Sequence, residues 1–339
     1  MSKTRPSDPA FLSEGRADQY FLNTREVLRG EGVDLHVTME VFSNGAGILC
    51  GIGEVVGHLA SSPGSDRFAV HAAIDGTRIS PKEVVLRIEG AYSSFGIYET
   101  SLLGTLGHGT GWATGASACV EAAGPIPVIS FGARHVHPAV SDRMEYAAVV
   151  GGCVGCATPD GAALAGQSAS GTMPHAMILL FGDTVTASEA FDRHMPEATK
   201  RIVLVDTFRD EVEESVRVAD KMGDRLWGVR LDTSSELGGV TVDLVNRTRA
   251  KLDAEGHVDV KILVSGGFGA EKIRSFVDAE CPVDGFGVGS AISGARPIDF
   301  TADLKEIDGR AVSKRGRKPG RSDSGDRLSL AHSSIGPVG

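Results

Sequence analysis

Hydroxyl side chains and a histidine fall inside one glycine-broken segment, GQSASGTMPHAMILLFG (166–182). Ser170, Thr172 and His175 lie directly before an apolar run that predicts the start of a helix, and Pro174 suits its first position. A neutral imidazole beside a helix N-terminus can act as a nucleophile or as a general acid and base. An isolated histidine is more often a core or cap residue. The segment is therefore either an ordinary strand-to-helix turn or a catalytic loop.

Charged side chains follow several short apolar runs further along the chain. They are Arg134 after PVISFG, Asp206 after RIVLV, and Arg230 and Asp232 within LWGVRLD. Arg230 and Asp232 are two positions apart on one predicted strand, so their side chains share a face. Each one alone could be a structural ion pair or a helix cap, since aspartate often caps a helix after a strand. Their joint occurrence at strand ends favours a site.

Two glycine-rich loops follow the last two predicted strands, SGGFGAEK (265–272) and GVGSAI (287–292). In barrels, loops at this position and a helix N-terminus form a recurrent phosphate site, because backbone N–H groups converge on the anion. Neither loop matches the dinucleotide fingerprint or the Walker loop. The pattern favours a phosphorylated ligand and excludes NAD-binding and P-loop interpretations.

Metal and cysteine patterns are weak. His135 and His137 are two residues apart without a third ligand of matching spacing, and Cys153 and Cys156 form a lone C-x-x-C in an apolar run. Both are expected to serve packing or capping. Five scattered cysteines make no disulfide framework.

Net charge and hydropathy limit the classes of binding partner. The formal net charge of −10 argues against nucleic-acid binding. No apolar run reaches the roughly 20 residues that span a bilayer, and no signal segment is apparent. We expect a cytoplasmic protein that binds small molecules and neither nucleic acid nor membrane.

The elements that must position these residues alternate from about residue 126 onward. Seven strand candidates, including a weak one at GQSAS, alternate with helices, which predicts a parallel sheet with helical crossovers. One of these helices is SDRMEYAAVVGG, for which Ser141 is the expected N-cap. A doubly wound open sheet and a closed barrel both fit. Because polar residues follow nearly every strand, as at the mouth of a barrel, the barrel is favoured.

The rest of the chain predicts a second, β-rich domain. Three strand-like runs between about residues 33 and 90 have no predicted helix between them, and a turn at Asp308–Gly309 returns the chain to this domain. The predicted organisation is a β-rich domain over 1–95, a connecting helical segment over 96–125, an α/β barrel with the active site over 126–300, a return to the β-rich domain over 301–315 and a disordered tail over 316–339.

Seven motifs occur together in the order seen in nicotinate phosphoribosyltransferases. They are DQYFLNTREVL, SFGARHVHP, SGTMPHA, VLVDTF, GVRLDT, LVSGGF and GFGVGSAI. Over about residues 15 to 315 the chain resembles this group, within the wider family that includes the nicotinamide and quinolinate enzymes. The resemblance implies an irregular α/β barrel (TIM-like) with a split β-rich sandwich domain. It also implies a homodimer or higher even homo-oligomer with shared active sites.

The resemblance implies a reaction and its cofactors. Nicotinate and phosphoribosyl pyrophosphate give nicotinate mononucleotide and pyrophosphate, with Mg²⁺ bound and ATP hydrolysis coupled through a phosphohistidine. His175 resembles that histidine. The motif positions imply that Asp206, Asp232 and Arg230 serve the pyrophosphate, Mg²⁺ and the ribose hydroxyls, with both aspartates as metal ligands.

The same resemblance implies groups that bind the substrate. Tyr20 from a partner subunit and Phe131 would stack on the pyridine ring, and Arg134 would meet the ring substituent. The other implied contacts are Ser170 and Thr172 in the SGTMPHA loop and, for the 5′-phosphate, Gly266, Gly267, Gly289 and Ser290. A carboxylate on the ring favours an arginine partner, since that pair is bidentate and charge-assisted.

Departures from the family pattern leave alternatives open. The chain is short for the ATP-coupled forms and is closer to the compact archaeal-like branch, yet it lacks that branch's cysteine-rich knuckle, so no structural zinc is expected. Nicotinamide would need an acidic group, for which Asp160 is a candidate. Quinolinate has two carboxylates and is less favoured, because only Arg134 and Arg230 are obvious. The alternatives are a transferase using one of those bases without ATP, or a non-catalytic barrel that binds a phosphometabolite.

Overall fold

The computed structural model describes residues 13–333 of the chain. Its α-helices are α1 (Gln19–Gly30), α2 (Ile52–Ala60), α3 (Glu99–Ala123), α4 (Pro138–Val150), α5 (Pro159–Leu164), α6 (His175–Phe181), α7 (Thr184–His194), α8 (Glu211–Met222), α9 (Val242–Ala254), α10 (Ala270–Asp278) and α11 (Ser290–Ser293). Its strands are β1 (His36–Ser43), β2 (Gly47–Ile48), β3 (Phe68–Ala72), β4 (Arg78–Ile79), β5 (Val84–Ala91), β6 (Val128–Ser130), β7 (Gly155–Cys156), β8 (Ile202–Leu204), β9 (Gly228–Leu231), β10 (Lys261–Val264), β11 (Gly285–Val288), β12 (Phe300–Ile307), β13 (Arg310–Ala311) and β14 (Ser329–Ser333).

The chain forms two compact units, and the first is discontinuous. Its described part comprises residues 13–114 and 296–333, and the second unit comprises residues 115–295. The first unit contains a six-stranded sheet in the order β13-β12-β1-β5-β3-β14 and the short pair β2-β4. All strand pairs in it are antiparallel. Strand β12 pairs with β1 and, across the Asp308–Gly309 turn, with β13.

The C-terminal segment differs from the predicted disordered tail. Over residues 316–333 the chain is ordered: β14 extends the sheet by pairing with β3, and the Arg321 guanidinium contacts the carboxylates of Glu89 and Glu306 at 2.9 Å each. The backbone N–H of Ser322 donates to Glu40, which lies buried in β1. The segment is rich in glycine, serine and arginine, a composition typical of a solvated tail. It packs on the sheet because Arg321 forms ion pairs with two acidic residues there. Residues 334–339 lie outside the described part.

The second unit contains a parallel sheet in the order β7-β6-β11-β10-β9-β8. A closed barrel would require β7 and β8, the two edge strands, to pair with each other. In the described structure they do not pair, so the sheet is a half-barrel. The predicted TIM-like α/β fold with a separate antiparallel domain is confirmed. Its strands are short apolar runs, such as IVL in β8, because a parallel sheet is buried on both faces.

Four local predictions were wrong. GQSAS forms no strand, so the parallel sheet has six strands where seven were predicted. Helix α4 begins at Pro138, not after Ser141, because His137 caps it. Pro174 is the N-cap of α6, one position before the predicted one. Helix α2 lies between β2 and β3, where no helix was predicted, and its buried Val55 and Leu59 join the core of the first unit.

Among the described residues, no helix is both long and apolar enough to cross a membrane.

Candidate active site

A histidine and an aspartate meet at the carboxyl end of strand β8. Asp206 lies two residues beyond β8, and His175 is the first residue of α6. The imidazole Nε2 lies 2.8 Å from Asp206 Oδ2, within hydrogen-bond distance. The Asp206 side chain is only 7% exposed, whereas that of His175 is 38% exposed. The buried carboxylate therefore orients an imidazole that solvent and ligands can reach.

Arg230 connects this pair to two other predicted residues. It lies in β9, and its guanidinium donates a hydrogen bond to Thr172 Oγ1. The guanidinium carbon is 5.5 Å from the centroid of the Phe131 ring. Burial lowers the pKa of Arg230, and the charges of Asp232 and Asp206 partly oppose that shift. The structure thus brings an aromatic face, a hydroxyl and a partly buried cation together.

Two polar atoms of this cluster are buried without a hydrogen-bond partner among the described residues. They are Asp206 Oδ1 and Arg230 Nε. Leaving a buried polar atom unpaired costs free energy, so such atoms in a folded protein need an explanation. One carries negative charge and the other donates a hydrogen bond. A polar ligand with both a cationic or donor group and an acceptor would satisfy them.

Asp232 lies beside the first glycine loop. Ser265 Oγ donates to Asp232 Oδ1 at 2.9 Å, and a Cβ added at Gly266 would lie 3.0 Å from the same oxygen. Gly266 and Gly267 have φ of +88° and +69°, a region that side chains disfavour. Successive N–H groups in such turns can cradle an anion. The loop after β10 thus approaches Asp232 closely because it carries glycine.

Other predicted residues lie in the same unit, and in the described part of the chain no hydrogen bond or ring contact joins them to this cluster. Arg134 is exposed in the short 3₁₀ helix Ala133–His135. Ser170 N donates to Cys156 O beside the end of β7. Gly289, just before Ser290 at the start of α11, packs against His135, whose ring an added Cβ would contact. Their substrate contacts remain predictions.

Tyr20 belongs to the first unit. It lies in α1 with 59% of its surface exposed, and its ring centroid is 4.3 Å from that of Phe21. An exposed tyrosine suits a role in contact with another chain. Its stacking on a partner's substrate remains a prediction.

His137, the second histidine of the pair after β6, has a structural role. His137 caps helix α4, with Nδ1 accepting a hydrogen bond from Ala139 N at 3.1 Å. Cys153 and Cys156 are buried, and burial raises the pKa of Cys153 to about 12. Such thiols are poor nucleophiles and metal ligands, since both roles need the thiolate.

Two supporting contacts were missed from the sequence. Ser265, which holds Asp232, follows strand β10 and so fitted the pattern of polar residues after strands. Thr233 Oγ1 donates to Glu211 Oε1 at 2.7 Å, joining the loop after β9 to the first turn of α8. No local pattern identifies that pair, because its members are 22 residues apart and both look like ordinary cap residues.

Gly287 in β11 makes room for the Phe131 ring. A Cβ there would lie 2.3 Å from Phe131 Cε2 and 3.1 Å from the Cβ of Ser265. We expect Gly287→Ala to displace the ring and reduce the free energy of unfolding by about 1–3 kcal/mol, measured by denaturant titration. Gly104→Ala is the control, because nothing lies within 4 Å of its added Cβ and alanine favours helix α3. Equal stability of both variants would contradict the tight contact.

Family models match nearly the whole described chain. The N-terminal domain of quinolinate phosphoribosyl transferase matches residues 18–110, and the C-terminal domain of quinolinate phosphoribosyl transferase matches residues 112–303. The chain belongs to the quinolinate phosphoribosyl transferase family. The expected membership in the wider family is therefore confirmed.

Individual relatives carry two kinds of name. The crystal structure of nicotinate-nucleotide pyrophosphorylase from Pyrococcus furiosus is 41% identical, with a TM-score of 0.86, and the match covers 94% of this chain and 81% of that chain. The nicotinate phosphoribosyltransferase pncB2 of Mycobacterium tuberculosis is 31% identical over 251 residues, 72% of this chain and 53% of the relative. A nicotinate phosphoribosyltransferase of Bacillus subtilis is 25% identical over 221 residues, 64% of this chain and 44% of the relative. The chain spans about half the length of the curated relatives it matches.

Proposed function

We propose that this chain transfers the phosphoribosyl group of phosphoribosyl pyrophosphate to the ring nitrogen of a pyridine carboxylate, forming nicotinate mononucleotide and pyrophosphate. Family membership and the names of the relatives support this class of reaction. The main structural support is the pair of buried atoms Asp206 Oδ1 and Arg230 Nε, which have no hydrogen-bond partner among the described residues and which a polar ligand would satisfy.

The chemistry asks little covalent work of the protein. The bond from ribose C1 to pyrophosphate breaks with its electron pair leaving on the pyrophosphate, and the lone pair of the ring nitrogen forms the new C1–N bond. Positive charge develops on the ribose and negative charge on the leaving group. Holding both partners in line and placing fixed charges beside them lowers this barrier. The carboxylates of Asp206 and Asp232 would face the developing positive charge.

Mg²⁺ fits this donor set as an ion carried by the substrate. Among the described residues no group of three histidine, cysteine, aspartate or glutamate side chains could hold a metal by itself. Mg²⁺ is commonly held by one or two carboxylates, waters and substrate phosphates. Asp206, with an unpaired buried oxygen, and Asp232 would hold it. When bound, the ion neutralises charge on the pyrophosphate.

The acceptor divides into two candidates with the same mononucleotide product. The family models favour quinolinate, whose second ring carboxylate must leave as CO₂ to give nicotinate mononucleotide. The relatives named for nicotinate favour nicotinate itself. Charge also favours nicotinate, since each buried carboxylate needs a cation and Arg230 is the cation that this cluster contains.

ATP coupling through His175 extends the proposal. When Nε2–H donates to Asp206, the lone pair is on Nδ1, and this nitrogen can attack the γ-phosphorus of ATP to give phosphohistidine and ADP. The 38% exposure of the His175 side chain leaves room for that approach. Without coupling, the same hydrogen bond would only orient a loop.

An acceptor panel tests the proposal. The chain is incubated with phosphoribosyl pyrophosphate and Mg²⁺, with nicotinate, quinolinate or nicotinamide, each with and without ATP. We expect mononucleotide and pyrophosphate from a pyridine carboxylate and much slower turnover of nicotinamide, with CO₂ release identifying quinolinate. Absence of mononucleotide with every acceptor would leave a non-catalytic phosphometabolite-binding protein. His175→Ala is the matched variant for the ATP arm: it should remove any stimulation by ATP, and unchanged stimulation would exclude a phosphohistidine.

A further inference from the structure

Lys272 is a cation that the proposed chemistry has not yet used, although it closes the glycine loop SGGFGAEK. It is the third residue of α10, directly after that loop. Its Nζ lies 4.3 Å from the centroid of the Phe268 ring and 5.9 Å from that of Phe276. Phe268 and Phe276 are both buried. The aliphatic stem thus covers core aromatics and holds the ammonium in place above them.

The ammonium lies beside two glycine turns. A Cβ added at Gly239 would lie 3.9 Å from Lys272 Nζ and 4.0 Å from the carbonyl oxygen of Thr233. A Cβ added at Gly266 would lie 3.8 Å from the same carbonyl and 3.0 Å from Asp232 Oδ1. Both glycines have positive φ. The loops after β9 and β10 therefore meet at Thr233, with Lys272 on one side and Asp232 on the other.

The position of Lys272 is energetically unfavourable unless an anion lies beside its ammonium. Burial lowers the pKa of its ammonium. A positive charge in the first turn of a helix also faces the positive end of the helix dipole, where carboxylates are preferred. The cap residue Gly269 offers no side chain to the first N–H groups of α10. Among the described residues Lys272 forms no ion pair, and its ammonium contacts the two aromatic rings. An anion beside it would relieve each of these costs.

We propose that Lys272 binds a phosphate group of phosphoribosyl pyrophosphate, at the junction of the two glycine turns beside Asp232. The inference rests on the proposed function. An ammonium acts on phosphate as a point charge with three donors, and it needs no bidentate geometry. The role is one of binding: the side chain contacts the substrate phosphate and takes no part in bond breaking.

The test compares Lys272→Met, which keeps the stem over the rings, with Lys272→Arg, which keeps the charge. We expect Lys272→Met to raise the KM for phosphoribosyl pyrophosphate about 10- to 100-fold, as for loss of one charge-assisted hydrogen bond, with a smaller change in kcat. Lys272→Arg should restore most of the affinity. The control is Lys200→Met, since Lys200 lies 4.0 Å from the Trp227 ring centroid just before β8, at the amino ends of the strands.

Calorimetric binding of ribose 5-phosphate and of inorganic pyrophosphate, each with Mg²⁺, separates the two phosphates and needs no turnover. Weaker binding of one probe by Lys272→Met, and not by Lys200→Met, supports the inference and identifies the phosphate, even if no pyridine is converted. Two results would overturn the inference and leave the proposed function standing. One is turnover by Lys272→Met with an unchanged KM for phosphoribosyl pyrophosphate. The other is binding of both probes by Lys272→Met as tightly as by the unsubstituted chain.

Discussion

Asp206→Asn should reduce kcat/KM by about 10²- to 10³-fold, the cost of removing one preorganised charge from a buried reaction site. The carboxylate is 7% exposed and Oδ1 has no partner among the described residues, whereas Oδ2 lies 2.8 Å from His175 Nε2. Asparagine has the same shape and keeps an oxygen for the imidazole. It lacks the charge that would face Mg²⁺ and the developing ribose cation.

The same substitution should not lower thermal stability. A buried, unpaired carboxylate oxygen costs stability that is retained for function, so the neutral amide should leave the unfolding midpoint unchanged or higher. Asp284→Asn is the control, because Asp284 accepts a hydrogen bond from Ile262 N near the amino ends of β10 and β11. Steady-state kinetics and calorimetry of both variants decide the matter. Wild-type turnover by Asp206→Asn would show that the Asp206 charge does not contribute to the reaction.

Arg230→Met should reduce kcat/KM for the pyridine carboxylate by about 10²-fold or more, because a charge-assisted pair in a partly buried site is lost. Arg230→Lys keeps the charge but loses the planar fork that binds a carboxylate through two donors, so it should recover only part of the activity. The guanidinium also meets Thr172 and the Phe131 ring, contacts that lysine cannot reproduce together.

Discrimination between nicotinate and nicotinamide is the sharper readout for Arg230. If Arg230 meets the ring carboxylate, both variants should narrow the ratio of kcat/KM between the acid and the amide. Arg247→Met serves as control, since Arg247 forms an exposed pair with Asp243 on helix α9. An undiminished preference for the acid in Arg230→Met would assign carboxylate recognition elsewhere, with Arg134 the next residue to substitute.

The residues predictable from sequence are those that a local rule identifies. Asp206, Arg230 and Asp232 end or follow apolar runs, and the neighbouring parallel strands β8 and β9 are those runs, so their side chains had to gather at one edge. His175 stood out through its glycine-broken loop, but its hydrogen bond with Asp206, 31 residues away, follows from no local rule.

The remainder depends on partners distant in the chain. Strand β14 forms because β3 offers an edge some 260 residues earlier, and the run that forms β14 has little strand character of its own. The Glu211–Thr233 hydrogen bond and the position of Lys272 over Phe268 likewise need the folded sheet. A seventh strand was predicted at GQSAS, a short and weak candidate, and no neighbouring strand pairs with it in the described structure.

The discontinuous first unit has a consequence for synthesis. Residues 115–295 are contiguous, so every strand of the parallel sheet is available before the ribosome makes β12. In the antiparallel sheet, β1 lacks one neighbour until residue 307 has emerged, and the edge of β3 stays uncovered until residue 333. Domains generally fold as units during translation, and unpaired edges invite aggregation. The antiparallel sheet therefore keeps an open edge until residues that follow the whole parallel sheet in the chain have been made.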